Sequence, residues 1–132
     1  MAALALAVQW PGPQYKQLKA AAAMVGVRVR QVTPAGYGLP LADLRDGAPV
    51  TEGNGAFDPL PEPMLLFADF TQAQFNAFLT RLHNQRVGTG VLKAVLTPTN
   101  ARWTLPTLYR ELAAERAAVM AAQQGDGTHE SN

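Results

Sequence analysis

The chain repeats itself. At an offset of 60 positions Leu6 meets Leu66, Trp10 meets Phe70, Tyr15 meets Phe75 and Leu18 meets Phe78. Each copy passes from an apolar stretch of strand length into residues at helical spacing and back into strand-like alternation, which is one β-α-β unit written twice. A chain of this kind must bury two strands and one helix per copy in a shared core. Two such units joined strand to strand give the βαββαβ order of a ferredoxin-like plait with an added C-terminal helix, an α/β (α+β) fold. The alternative is a four-stranded open parallel α/β sheet in which the short 39–44 helix serves as a crossover.

Local signals place the elements. Residues 4–8 alternate Leu with Ala before Val8, so the first strand carries bulk on one face and methyls on the other. Pro11 and Pro13 suit a helix's first turn, Tyr15, Leu18, Ala22 and Val25 recur at its spacing, and Gly26 ends it. Val27-Arg28-Val29-Arg30-Gln31-Val32 alternates again, with its arginines directed to water, which suits a sheet edge. Residues 33–63 form a long loop rich in proline and glycine, within which Leu39-Pro40-Leu41-Ala42-Asp43-Leu44 reads as a short helix and 50–58 as an excursion. Met64-Leu65-Leu66-Phe67-Ala68 is the third strand. Thr71 with Gln74 is a capping box, ahead of the stripe Phe75, Phe78, Leu79 and Leu82. Residues 91–97 form the fourth strand, Pro98-Thr99-Asn100 a turn, and Leu105, Leu108, Leu112 and Val119 a third long helix that tolerates Pro106 in its first turn. Residues 123–132 offer no core side chain and read as a disordered tail, leaving a single α/β domain at 1–122.

Composition removes whole classes of chemistry. With no cysteine, disulfides, thiolate zinc sites, iron–sulfur ligation and a cysteine nucleophile are excluded, and the two histidines, His83 and His129, are too few for a metal site. A net charge of +1, with neither sign clustered, gives no pull toward a polyanion, and exposed aromatics for stacking RNA bases are missing. No apolar run approaches the roughly 18 residues of a membrane helix. The opening Met1-Ala-Ala-Leu lacks the basic flank of a signal peptide, so the reading is a cytoplasmic protein. Neither a dinucleotide glycine motif nor a phosphate loop occurs, and no cofactor is expected.

The segment Leu92-Lys93-Ala94-Val95-Leu96-Thr97-Pro98-Thr99-Asn100, followed by Trp103-Thr104-Leu105, Leu108, Glu111-Leu112 and Glu115, resembles the close of an uncharacterised bacterial family, the domain of unknown function 3783. Met64-Leu65-Leu66-Phe67 through the helix to Leu82 is similar to the same family. The resemblance implies a small α/β domain and carries no activity.

Two regions are candidate contact sites. The corner 97–104 gathers Thr97, Thr99, Asn100 and Trp103 just before a helix, a geometry able to hold an anion or carbonyl, although the same residues cap and fill helix turns. The second is a sheet face. If Leu4, Leu6, Val8, Met64, Leu66, Val27, Val29, Leu92, Ala94 and Leu96 meet the two long helices, then Ala5, Ala7, Leu65, Phe67, Val91 and Val95 form an opposite apolar face, rimmed by Arg28, Arg30 and Lys93. Either the third long helix covers that face, or a homodimer or protein partner uses it, or a small ligand or peptide does. The reading is a non-enzymatic binding or assembly module; the alternative is a small enzyme using Lys93 and the Thr99/Asn100 turn on an anionic or carbonyl substrate.

Overall fold

The computed structural model describes residues 3–48 and 59–130, with side chains through 122. The excursion expected at 50–58 lies outside the described residues. Strand β1 is Leu4–Val8, helix α1 Gly12–Ala23, strand β2 Arg28–Val32, helix α2 Leu41–Asp46, strand β3 Met64–Ala68, helix α3 Gln72–Asn84, strand β4 Leu92–Val95 and helix α4 Leu105–Glu130, with a 3-10 helix at Pro34–Gly36. α4 continues to Glu130, into the stretch read from sequence as a disordered tail. The alanines at 113, 114, 117, 118, 121 and 122 favour the helix up to that stretch.

The strand order is β2-β1-β3-β4. β1 pairs parallel with β2, β3 parallel with β4, and the central pair β1/β3 is antiparallel. This differs from both expected sheets. A plait splits each βαβ unit by inserting a strand between its two strands, whereas here each unit is unsplit; an all-parallel sheet fails at β1/β3. The local pattern that defines a βαβ unit does not say which strand of one unit meets the other. The most buried strands, β1 and β3, with every residue out of contact with water, took the centre.

The repeat is a structural one. In the central ladder Leu6 faces Leu66, Leu4 faces Ala68 and Val8 faces Met64, so the offset of 60 and an approximate two-fold axis through the Leu6/Leu66 pair describe the same relation. Backbone irregularities repeat with it. Gln9 and Asp69 both have positive φ (59° and 62°), as do Gly26 and Arg86 (71° and 56°). The Val27 N–H bonds Ala22 O as the Val87 N–H bonds Leu82 O. From β2 and β4 onward the offset becomes 64, because residues 88–91 separate Val87 from β4, whereas Val27 runs directly into β2. Thr33-Pro34-Ala35-Gly36 then matches Thr97-Pro98-Thr99-Asn100, and Leu41 and Leu44 match Leu105 and Leu108. The N–H of Leu39 donates to Gly36 O as that of Trp103 donates to Asn100 O. The repeated unit is therefore βαβα.

Helices cover both faces of the sheet. Ala5, Ala7, Leu65 and Phe67 pack with Leu18, Ala21 and Ala22 of α1 and Phe78 and Leu82 of α3. Leu4, Leu6, Val8, Met64 and Leu66 pack with Leu41 and Leu44 of α2 and Leu105 and Leu108 of α4. The expectation that the bulky β1 face meets the two long helices is thus corrected: α1 and α3 sit on the alanine face. The reason is volume. The Phe67, Phe70, Phe75 and Phe78 rings pack edge to face or stacked with centroids 5.2 to 6.2 Å apart, and Trp10 joins the same cluster, so this layer takes small residues from β1. Val27 and Val29 face α1 and α3 as expected, while Leu92, Ala94 and Leu96 lie on the α2/α4 side. Among the described residues, neither face is left as an open apolar patch.

Candidate functional site

With both faces covered, the sheet meets its surroundings at its two edges, β2 and β4. In a parallel pair, alternate residues direct both their N–H and C=O to the neighbour and the others direct theirs away. The Arg28 N–H donates to Ala3 O at 3.0 Å, so Arg28, Arg30 and Val32 bond to β1 and Val29 and Gln31 point outward. The Leu96 N–H donates to Phe67 O at 2.8 Å, so Leu92, Ala94 and Leu96 bond to β3, and Val91, Lys93, Val95 and Thr97 point outward.

The β4 edge is stoppered at both ends by its own side chains. Lys93 Nζ donates to Val91 O at 3.2 Å and to Gly88 O at 3.1 Å. Partial burial holds the Lys93 ammonium below its ordinary pKa. Asn100 Nδ2 donates to Val95 O at 3.0 Å, and Asn100 Oδ1 accepts from the Thr97 N–H at 2.8 Å. The Asn100 N–H in turn donates to Thr97 Oγ1 at 3.2 Å. Three outward groups of this edge are thereby occupied, a recognised way of blocking strand addition.

At β2 the corresponding devices are missing among the described residues. By the register, Val29 stands where Lys93 stands in the second unit, and Gly36 where Asn100 stands. A valine has no group to reach a carbonyl, and a glycine has no side chain at all. Among the described residues, the outward N–H and C=O of Val29 and Gln31 take part in no hydrogen bond. The Gln31 side chain instead donates to Trp10 O at 3.2 Å.

Beside this edge lies a cleft of about 340 Å³ lined by Arg30, Gln31, Val32, Thr33, Gly36, Leu44, Gly47 and Ala48. Arg30 Nη1 donates to Leu44 O at 2.5 Å, which anchors the guanidinium over the end of α2. Gly47 closes that helix with φ 76° and lets the guanidinium approach to 3.7 Å of where a Cβ would stand. Arg28 is exposed on the same side of the sheet. The second unit has Leu92 and Ala94 at these two positions, packed into the core beside the long α4. α2, only six residues long, leaves its own strand uncovered there.

The remaining sequence candidates fall into two separate places. Thr97, Asn100 and Trp103 form the turn after β4, with Thr99 exposed at its tip. The carbonyls of Ala101 and Trp103 accept from the Ala42 and Leu41 N–H groups at 2.9 and 2.8 Å, so this corner also caps α2. Asn100 is 8% exposed and its amide is engaged at both ends, and no buried side-chain nitrogen or oxygen among the described residues lacks a partner. Lys93 lies toward the other end of β4, about 13 Å along the strand from Thr97 at the usual rise per residue, and its amine turns back to Gly88. The structure does not bring Lys93 together with the Thr99/Asn100 turn. Lys93 also borders an apolar slot of about 170 Å³ with Phe67, Phe75, Leu79 and Val95. His83 shares a second cleft with Lys93, Gly88 and Val87. No cluster of three His, Asp or Glu side chains able to hold a metal occurs among the described residues, and no helix there is long and apolar enough to cross a membrane.

Sequence reasoning passed over Val29, Gln31 and Gly36. Their signal was present in the alignment of the two copies, once the offset changes from 60 to 64 between them.

Residues 63–119 match the family model described as domain of unknown function 3783. The match covers the second unit from β3 into α4, which bears out the resemblance read from its strand and corner residues. No curated protein and no solved structure matches the chain.

Proposed function

We propose that this chain is a non-enzymatic binding or assembly module that receives an extended segment of a protein partner as a fifth strand along β2. The observation that carries this reading is the difference between two equivalent edges: Lys93 and Asn100 occupy three outward groups of β4, at Val91, Val95 and Thr97, and Val29 and Gly36, which cannot do the same, stand in their places at β2. Strand addition takes its affinity from main-chain hydrogen bonds and its selectivity from pockets for alternate side chains. β2 offers the outward groups of Val29 and Gln31 for the first and the Arg30 cleft for the second.

The test uses decapeptides selected from a random display library on the immobilised chain, then titrated into isotope-labelled protein. Bound peptides are expected to shift the Val29 and Gln31 amides. Gln31→Pro removes one outward N–H without touching the β1/β2 ladder and is expected to abolish binding, whereas Gln31→Ala retains it. Peptides that bind Gln31→Pro and Gln31→Ala equally well would overturn the proposal.

A further inference from the structure

The chemistry of the partner strand can be read from the side chains that flank the edge. We infer that the segment received by β2 is acidic at alternate positions, a specificity that rests on the strand-addition reading above. In an antiparallel fifth strand, the outward residues Val29 and Gln31 form the hydrogen-bonded pairs, so Arg28 and Arg30 occupy the non-hydrogen-bonded pairs, where facing side chains come closest. Both guanidinium groups lie on the α2/α4 side of the sheet, two residues apart, and meet incoming side chains two residues apart.

Three observations converge on carboxylates. The fold does not require arginine at these positions, because the second unit is built with Leu92 and Ala94 in their places. Arg30 is held in position by Leu44 O through one N–H, and a guanidinium carries five, in a fork that matches a carboxylate. The cleft beside it contains no acidic side chain among its lining residues.

The same residues argue against a second copy of the chain as occupant. An antiparallel β2/β2 pair centred on Val29 sets Arg28 against Arg30 twice, and one centred on Arg30 sets that residue against itself. A pair centred on Gln31 avoids this but runs at once into the 3-10 helix Pro34–Gly36, where the chain leaves the strand direction. An acidic strand from another protein meets neither obstacle.

The selected decapeptides decide the matter. Enrichment of Asp or Glu at positions i and i+2 is expected, together with at least a tenfold loss of affinity for the Arg28→Gln/Arg30→Gln variant and a marked weakening between low and high salt. Selected peptides that shift the Val29 and Gln31 amides yet carry no acidic bias, or bind the double variant unchanged, would overturn the acidic specificity while leaving strand addition standing. Acidic peptides whose shifts fall away from β2 would overturn strand addition itself. A library that yields no binder, or a free chain that sediments as a β2-paired dimer, contradicts both.

Discussion

Asn100→Ala separates an edge stopper from a ligand contact. The substitution removes two hydrogen bonds, from the Thr97 N–H to Oδ1 at 2.8 Å and from Nδ2 to Val95 O at 3.0 Å, and leaves the Asn100 backbone bond to Thr97 Oγ1 intact. At about 1 kcal/mol for each typical intramolecular hydrogen bond, the expected loss is about 2 kcal/mol. With an unfolding entropy of roughly 2.1 cal/mol/K per residue, a chain of 132 residues loses about 4 °C of melting temperature per kcal/mol, so the midpoint should fall by about 7 °C. Calorimetry measures this, and amide exchange at Thr97 should accelerate in parallel. Asn100→Asp keeps the acceptor for Thr97 but turns a carboxylate toward Val95 O. Its deficit should shrink as the pH falls toward the ordinary Asp value of about 3.9, where a protonated acid can donate to that carbonyl, and should be constant below it. A melting temperature for Asn100→Ala within about 1 °C of the parent would refute the reasoning and return Asn100 to the list of ligand-contact candidates.

Further outcomes follow from the same geometry. Ala7→Leu adds three carbons to a fully buried position under α1 and α3 and should cost about 2 kcal/mol in chemical denaturation; free tolerance would mean that this face is not covered. Lys93→Val with Asn100→Gly gives β4 the residues that β2 carries, and should produce concentration-dependent self-association in size exclusion that the parent lacks. Glu62 accepts from Arg116 at 2.6 and 2.9 Å and from Tyr109 at 3.2 Å, which lowers its pKa from the usual 4.5, chiefly through Arg116. A carboxylate lowered on folding adds stability above its unfolded pKa and loses it as the pH falls through the folded value. Glu62→Gln should therefore flatten the acid limb of stability below about pH 4.5 and leave the alkaline limb alone, as thermal melts across pH will show.

The duplication was legible because Leu6/Leu66, Trp10/Phe70, Tyr15/Phe75 and Leu18/Phe78 are large residues whose spacing survives divergence. The edge position of Arg28 and Arg30 was legible for a similar reason, since charge at alternate strand positions has no place under two helical layers. The assignment of helices to faces was not. β1 is apolar on both sides, and alternation of Leu with Ala marks two faces without saying which receives aromatic helices; that depends on Phe67, Phe75 and Phe78, more than fifty residues away. Strand order was equally hidden, since pairing of β1 with β3 is decided by which strands bury both faces. The stopper roles of Lys93 and Asn100 depend on that order and on the phase of the β3/β4 ladder, so the sequence singled out the residues and not what they do.

Amide exchange along β2 in the free chain tests the open edge most directly. Arg28 and Arg30, bonded to β1, should exchange slowly, while Val29 and Gln31 exchange near the rate of unprotected amides, and Thr97 on the opposite edge stays protected through Asn100. Protection at Val29 and Gln31 equal to that at Arg28 and Arg30 would mean that the edge is already paired, and would contradict the account.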